Sequence, residues 1–173
     1  MVTSTLPCTT ADFPCTYLGL PVSTRKIGKA ELLRWIEKIS DKLPGWRAAL
    51  MTMAGRVTWV RFVLSAIPVY VLTAIKVPKW FLRAIDKIRR AFVWKGREQV
   101  NGGACLVAWE KVQRPLDLGG LGILNLELMS WALQIRWLWL KKTDPNRSWV
   151  GLDDLDIHHC FGILGQEWKK YLG

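Results

Sequence analysis

A few groups of side chains in this 173-residue chain have types and spacings that could do chemistry. Asp153-Asp154 is the only adjacent acidic pair, inside Gly151-Leu152-Asp153-Asp154-Leu155-Asp156. Paired carboxylates can hold two divalent metals roughly 3.5–4 Å apart, clamping the attacking and leaving oxygens of a phosphoryl displacement. This pair lacks an aromatic lead and sits in a Gly-punctuated tail, so it reads as a solvated acidic turn. His158-His159-Cys160 offers zinc-binding atoms, but three contiguous ligands do not converge easily on one tetrahedral ion. Adjacent His and Cys side chains also seldom meet as base and nucleophile. Gly102-Gly103 and Gly119-Gly120-Leu121-Gly122 fit neither a P-loop nor a dinucleotide fingerprint, and read as turns where backbones approach. No catalytic residue, metal ligand or cofactor is assigned.

The cations are more informative. Lys79, Arg83, Lys87 and Arg90 recur at spacings of 4, 4 and 3, opposite an apolar stripe of Phe81, Leu82, Ile85, Ile88 and Phe92. A cationic helix face can track phosphates and release their condensed counterions. The bland alternative is a solvated surface helix, but only Asp86 interrupts this face. Arg25, Lys26 and Lys29 extend the candidate patch. Among 11 Trp residues, Trp35, Trp59, Trp131, Trp137 and Trp139 lie in apolar helical contexts and are expected in the core. Trp46 and Trp80 adjoin basic residues and are the least secure core assignments.

The charge map agrees with the helix. The net charge is +11: residues 1–24 carry −1, residues 25–100 carry 17 basic and 5 acidic side chains, and residues 101–173 carry 8 of each. The whole excess lies in one stretch, which points to a polyanion. Cys8, Cys15, Cys105 and Cys160 form no C-x-x-C pair, which suits free thiols in a reducing compartment, nucleus or cytoplasm. No secretory leader is read at the N-terminus. Phe62–Ile75 is an uncharged run of 14 residues broken by Pro68, shorter than the roughly 20 a membrane span needs, so buried core is expected and no membrane.

The elements that must position these groups are mainly helical. Tyr17–Leu20 is a strand candidate, and Ser23 or Thr24 would cap a first helix with Leu32, Ile36, Ile39 and Leu43 inward. A second helix is expected over Arg47–Ala66, with Leu50, Ala54, Val57 and Leu64 inward, then a short apolar connection between Pro68 and Pro78. Pro78 opens the basic helix. A strand is expected at Leu106–Trp109, and Asn125 would cap a helix through about Lys142 that is apolar nearly all round. Such a helix lies central in a fold or against a partner, so 125–142 is also a candidate self-association face.

The ordered motifs Tyr17-Leu18-Gly19-Leu20-Pro21, Leu43-Pro44-Gly45-Trp46, Ala54-Gly55-Arg56, Ile67-Pro68-Val69-Tyr70, Val77-Pro78-Lys79, Phe92-Val93-Trp94-Lys95-Gly96, Val107-Ala108-Trp109 and Gly119-Gly120-Leu121-Gly122-Ile123 together resemble a known series. They are similar to the region after the palm in reverse transcriptases of plant non-LTR (LINE-type) retrotransposons, over about Phe13–Trp149. The resemblance implies a helical thumb-like bundle with short β elements near the N-terminus and around residues 105–124. It divides the chain into an extended lead-in with a primer-grip-like strand (1–24), a basic thumb-like region (25–100), a post-thumb connector with an apolar helix (101–143) and an irregular tail (144–173). It implies binding of RNA or RNA–DNA duplex without sequence preference. The family's catalytic aspartates and zinc-binding module find no counterpart here, so a stretch with no polymerase activity of its own is expected. The alternatives are a retroelement remnant without function and a helical protein-interaction module.

Overall fold

The computed structural model describes residues 15–22, 27–99 and 105–146. Strands β1 (Cys15–Tyr17) and β2 (Leu20–Val22) pair antiparallel, with Tyr17 opposite Leu20. Leu18 and Gly19 both have positive φ, 51° and 79°, the signature of a type I′ two-residue turn. The Tyr17–Leu20 stretch is therefore not one strand: Tyr17 ends β1, Leu20 begins β2, and Leu18-Gly19 is the bend between them. The Tyr70 hydroxyl donates to the Leu18 carbonyl at 2.6 Å, which fastens this bend to the helices.

Helix α1 (Lys29–Ser40) starts after Gly28, whose N–H is accepted by the Glu31 carboxylate at 3.3 Å. Ser23 and Thr24 lie outside the described residues. Leu32, Trp35 and Ile39 are buried on α1, whereas Leu43 lies beyond its end and is half-buried. A 3₁₀ segment follows (Gly45–Leu50), and the chain then re-enters helix at Thr52, whose hydroxyl accepts from Gly55 N–H. This break corrects the continuous helix expected over Arg47–Ala66. It also turns Leu50 outward, 77% exposed, and leaves Ala54 exposed, although Leu64 is buried as expected.

Helix α2 (Met53–Trp59) runs through one π turn (Val60–Leu64) into α3 (Ala66–Ala74). Pro68 explains the widened turn: it has no N–H, and its ring conflicts with a carbonyl one turn back. The Ser65 N–H and hydroxyl both donate to the Val60 carbonyl, at 3.0 and 2.7 Å. Pro68 thus sits inside a helix, where a connection was expected. The run Met53–Ala74 is 22 residues, long and apolar enough by composition to cross a membrane. Its inward side, with Val60, Leu64, Val71 and Leu72, packs in the core against the helices that follow.

Helix α4 (Lys79–Lys95) is the centre of the bundle, meeting α1, α2, the π turn and the last helix. Short α5 (Trp109–Val112) replaces the strand expected at Leu106–Trp109, and buries Trp109 and Val112. A 3₁₀ turn (Leu116–Leu118) ends at Gly119, φ 76°. A Cβ at Gly120 would lie 2.0 Å from the Arg114 carbonyl oxygen, so this turn closes only with glycine there. No strand forms around 105–124 among the described residues. Asn125 caps α6 (Leu126–Thr143), its side-chain oxygen accepting from Glu127 and Leu128 N–H at 3.0 and 3.1 Å. Helix α6 packs on α3, and the Trp137 indole N–H donates to the Thr73 carbonyl at 3.1 Å.

Candidate nucleic-acid interface

Helix α4 segregates its residues as a pattern of period 3.6 requires. Phe81, Leu82, Ile85, Ile88 and Phe92 are all buried, which fixes the opposite side toward solvent. Arg83 and Lys87 are exposed there, and no ion pair holds either among the described residues. Arg90 is half-buried on the same side. Lys79 behaves differently. Its ammonium lies 3.1 Å from the Glu127 carboxylate at the start of α6, with both side chains well exposed. Such a pair contributes little to stability, but it offsets part of the charge at that end of the stripe.

Lys29 joins the patch from a second element. Its ammonium lies 5.9 Å from the Trp80 ring centre, where α1 begins beside α4. Trp80 stands at right angles to the buried Phe81 and remains 36% exposed. The structure thus joins Lys29 to Trp80, on the helix whose outer side carries Arg83, Lys87 and Arg90. Arg25 and Lys26 lie outside the described residues, as do Asp153-Asp154, His158-His159-Cys160 and Gly102-Gly103. Among the described residues no group of His, Cys, Asp and Glu could hold a metal ion.

Asp86 is engaged mainly away from Arg83 and Lys87, although the Arg90 charge also acts on it. It accepts from Arg89 Nη1 at 2.7 Å, and Arg89 is fully buried. Arg89 Nη2 also donates to the Ser65 hydroxyl at 2.9 Å and to the Leu124 carbonyl at 2.7 Å. Through this one side chain α4 is tied to the π turn and to the approach of α6. Burial pushes the Asp86 carboxyl above its ordinary value, opposed by the neighbouring Arg89 charge. Burial likewise lowers Arg89, opposed by Asp86. Sequence spacing missed Arg89; the one signal was a cation flanked by the inward-facing Ile88 and Phe92. With Asp86 occupied inward, Arg83 and Lys87 present uncompensated charge.

The aromatic assignments divide. Trp35 and Trp109 are buried, and Trp59 and Trp131 half-buried. Trp137 and Trp139 are exposed, Trp139 to 65%, which corrects their expected core placement. The cause is α6 itself: an all-round apolar helix cannot hide every side against one layer of neighbours.

A basic, mainly helical region with one preformed cationic helix face is the class the structure defines. The chain is similar to an Arabidopsis thaliana protein named for ribonuclease H, 32% identical over 131 residues, 76% of this chain and 21% of that protein. It therefore spans about a fifth of the relative's length. No family profile and no solved structure matches.

Proposed function

We propose that this chain is a retroelement-type, thumb-like helical region that binds the backbone of RNA or RNA–DNA duplex without sequence preference. The observation that supports it most directly is the exposed, unpaired Arg83–Lys87 face, held rigid by the buried opposite side of α4. The relative's name, which refers to a ribonuclease, agrees with a nucleic-acid setting. The finer reading, a LINE-type reverse transcriptase, rests on the order of the motifs in the sequence. On this reading the stretch positions a duplex and has no polymerase activity of its own, since its only adjacent carboxylate pair is Asp153-Asp154. Primer extension on an RNA template with Mg²⁺ should be undetectable; extension abolished by Asp153→Ala and Asp154→Ala would overturn that.

Binding is tested by salt. Phosphate contacts position a protein without reading bases. With Lys29, Arg83, Lys87 and Arg90 engaged, log affinity against log salt should fall with a slope of about −3 to −4, taking roughly −0.9 per phosphate. The double variant Arg83→Glu/Lys87→Glu should flatten the slope and weaken all sequences alike. An unchanged slope in the folded variant would mean that the face is merely solvated.

A second reading is favoured by the exposed Leu128, Ile135, Trp137 and Trp139 of α6. An apolar surface of that kind marks interaction or association, and would make the chain a helical protein-interaction module. Concentration-dependent self-association, with no duplex binding, would support it.

A further inference from the structure

A second cationic surface lies away from the α4 stripe, where the 3₁₀ segment folds back on the C-terminal end of α4. Gly96 ends α4 in the left-handed region, φ 64°, its N–H bonded to the Phe92 carbonyl at 2.8 Å. A Cβ there would meet the Ala48 carbonyl oxygen at 3.0 Å and Arg56 Cδ at 3.4 Å. Glycine therefore lets the Ala48 backbone close onto the helix end, and the Arg56 stem is held along the same contact. The result is a groove of about 520 Å³ whose charged walls are Arg56, Lys95 and Arg97, and whose lining includes no carboxylate. Arg56 Nε is buried at this wall without a hydrogen-bond partner, a donor that an anionic oxygen would satisfy.

The rest of the lining is apolar and aromatic, with Trp46 and Trp94 beside Ala48, Ala49 and Met51. Trp46 follows Gly45, itself at φ 52°, and is 73% exposed although it belongs to the bundle's own turn. The Arg47 guanidinium lies 5.4 Å from the ring centre, so the indole is flanked by charge and not by core. An exposed indole beside a guanidinium, at the mouth of a carboxylate-free cationic groove, is the combination that holds single strands: a base stacks while its phosphate is neutralised.

We propose that this groove binds an unpaired nucleotide of single-stranded RNA or DNA, with its base on Trp46 and its phosphate toward Arg56, Lys95 and Arg97. The proposal rests on the nucleic-acid reading above but uses a different surface and a different form of the ligand. The probes are a short labelled oligouridylate, an abasic oligomer of equal charge, and a blunt RNA–DNA duplex, each followed by fluorescence anisotropy on the full chain. Trp46→Ala should weaken oligouridylate binding about 5- to 160-fold, the range for one stacked base, and leave the duplex unchanged. Trp46→Phe should restore most of the loss, which a folding defect would not. Arg83→Glu/Lys87→Glu should do the reverse, sparing the oligouridylate. Oligouridylate binding that Trp46→Ala leaves intact, or equal binding of the abasic oligomer, would overturn the stacking site. Duplex binding with no single-strand binding would overturn this proposal alone, whereas single-strand binding sensitive to Trp46 with no duplex binding would overturn only the duplex reading.

Discussion

Helices α4 and α6 have similar lengths and opposite designs. In α4 one side is wholly buried and the other carries Arg83, Lys87 and Arg90, so its orientation is forced. In α6 apolar residues occur on every side, and Leu126 and Ser130 are buried while Leu128 and Trp139 face solvent. Segregation of residue types gives a helix one address in the fold; uniform apolarity gives it several. A cationic face on such a fixed helix can present charge at constant spacing, which repeated phosphates require.

The difference between the two helices shows most strongly at Arg89, a buried side chain that ties α4 to the approach of α6. Arg89→Leu leaves Asp86 buried without its partner and should cost about 3–5 kcal/mol in denaturant unfolding. A loss below about 1 kcal/mol would mean that apolar packing alone sets α4 in place. Next is the surface of α4: Arg83→Glu/Lys87→Glu should change stability by no more than about 0.5 kcal/mol, so that any loss of duplex affinity is electrostatic. On α6, Trp139→Gln should likewise change stability by no more than about 0.5 kcal/mol and reduce binding of apolar dyes; a large loss of stability would show that Trp139 is covered.

The smallest effect concerns pH. The Asp86 carboxyl is raised above 3.8 by burial, so the fold binds its proton more tightly than the unfolded chain does. Its contribution is then fullest below that ordinary value and declines as pH rises through the raised one. The stability of the native chain relative to Asp86→Asn should therefore fall across that window. A difference that grows with pH would show that the Arg89 charge outweighs burial.

How far these features could be read from sequence follows the same division. The inward side of α4 and the Asn125 cap were legible because spacing and a short side-chain acceptor each specify one local geometry. The Thr52 break was not: Leu50 and Ala54 fit a helical period, but a 3₁₀ segment advances the chain differently and turned both outward. Arg89 was hidden because burial of a cation depends on acceptors at Ser65 and Leu124, far away in sequence. Trp46 is a weak core candidate in sequence because Arg47 adjoins it, and it lies 73% exposed. Trp137 and Trp139 were misplaced because an unphased apolar helix offers no period from which to choose a side.

The π turn before Pro68 acts as a phase shifter. A π turn takes up one residue more than an α turn, so each later residue occupies the place its predecessor would hold in an unbroken α-helix, a register shift of about 100°. Val71 and Leu72 therefore reach the core in a register displaced by one residue from that of α2. Deleting Val63 should remove the widened turn and let a regular α-helix run into Ala66–Ala74, with Val71 and Leu72 still on the inward side. Adding a residue with no such turn to absorb it would instead swing both out of the core, so the widened turn is what lets this segment carry its extra residue.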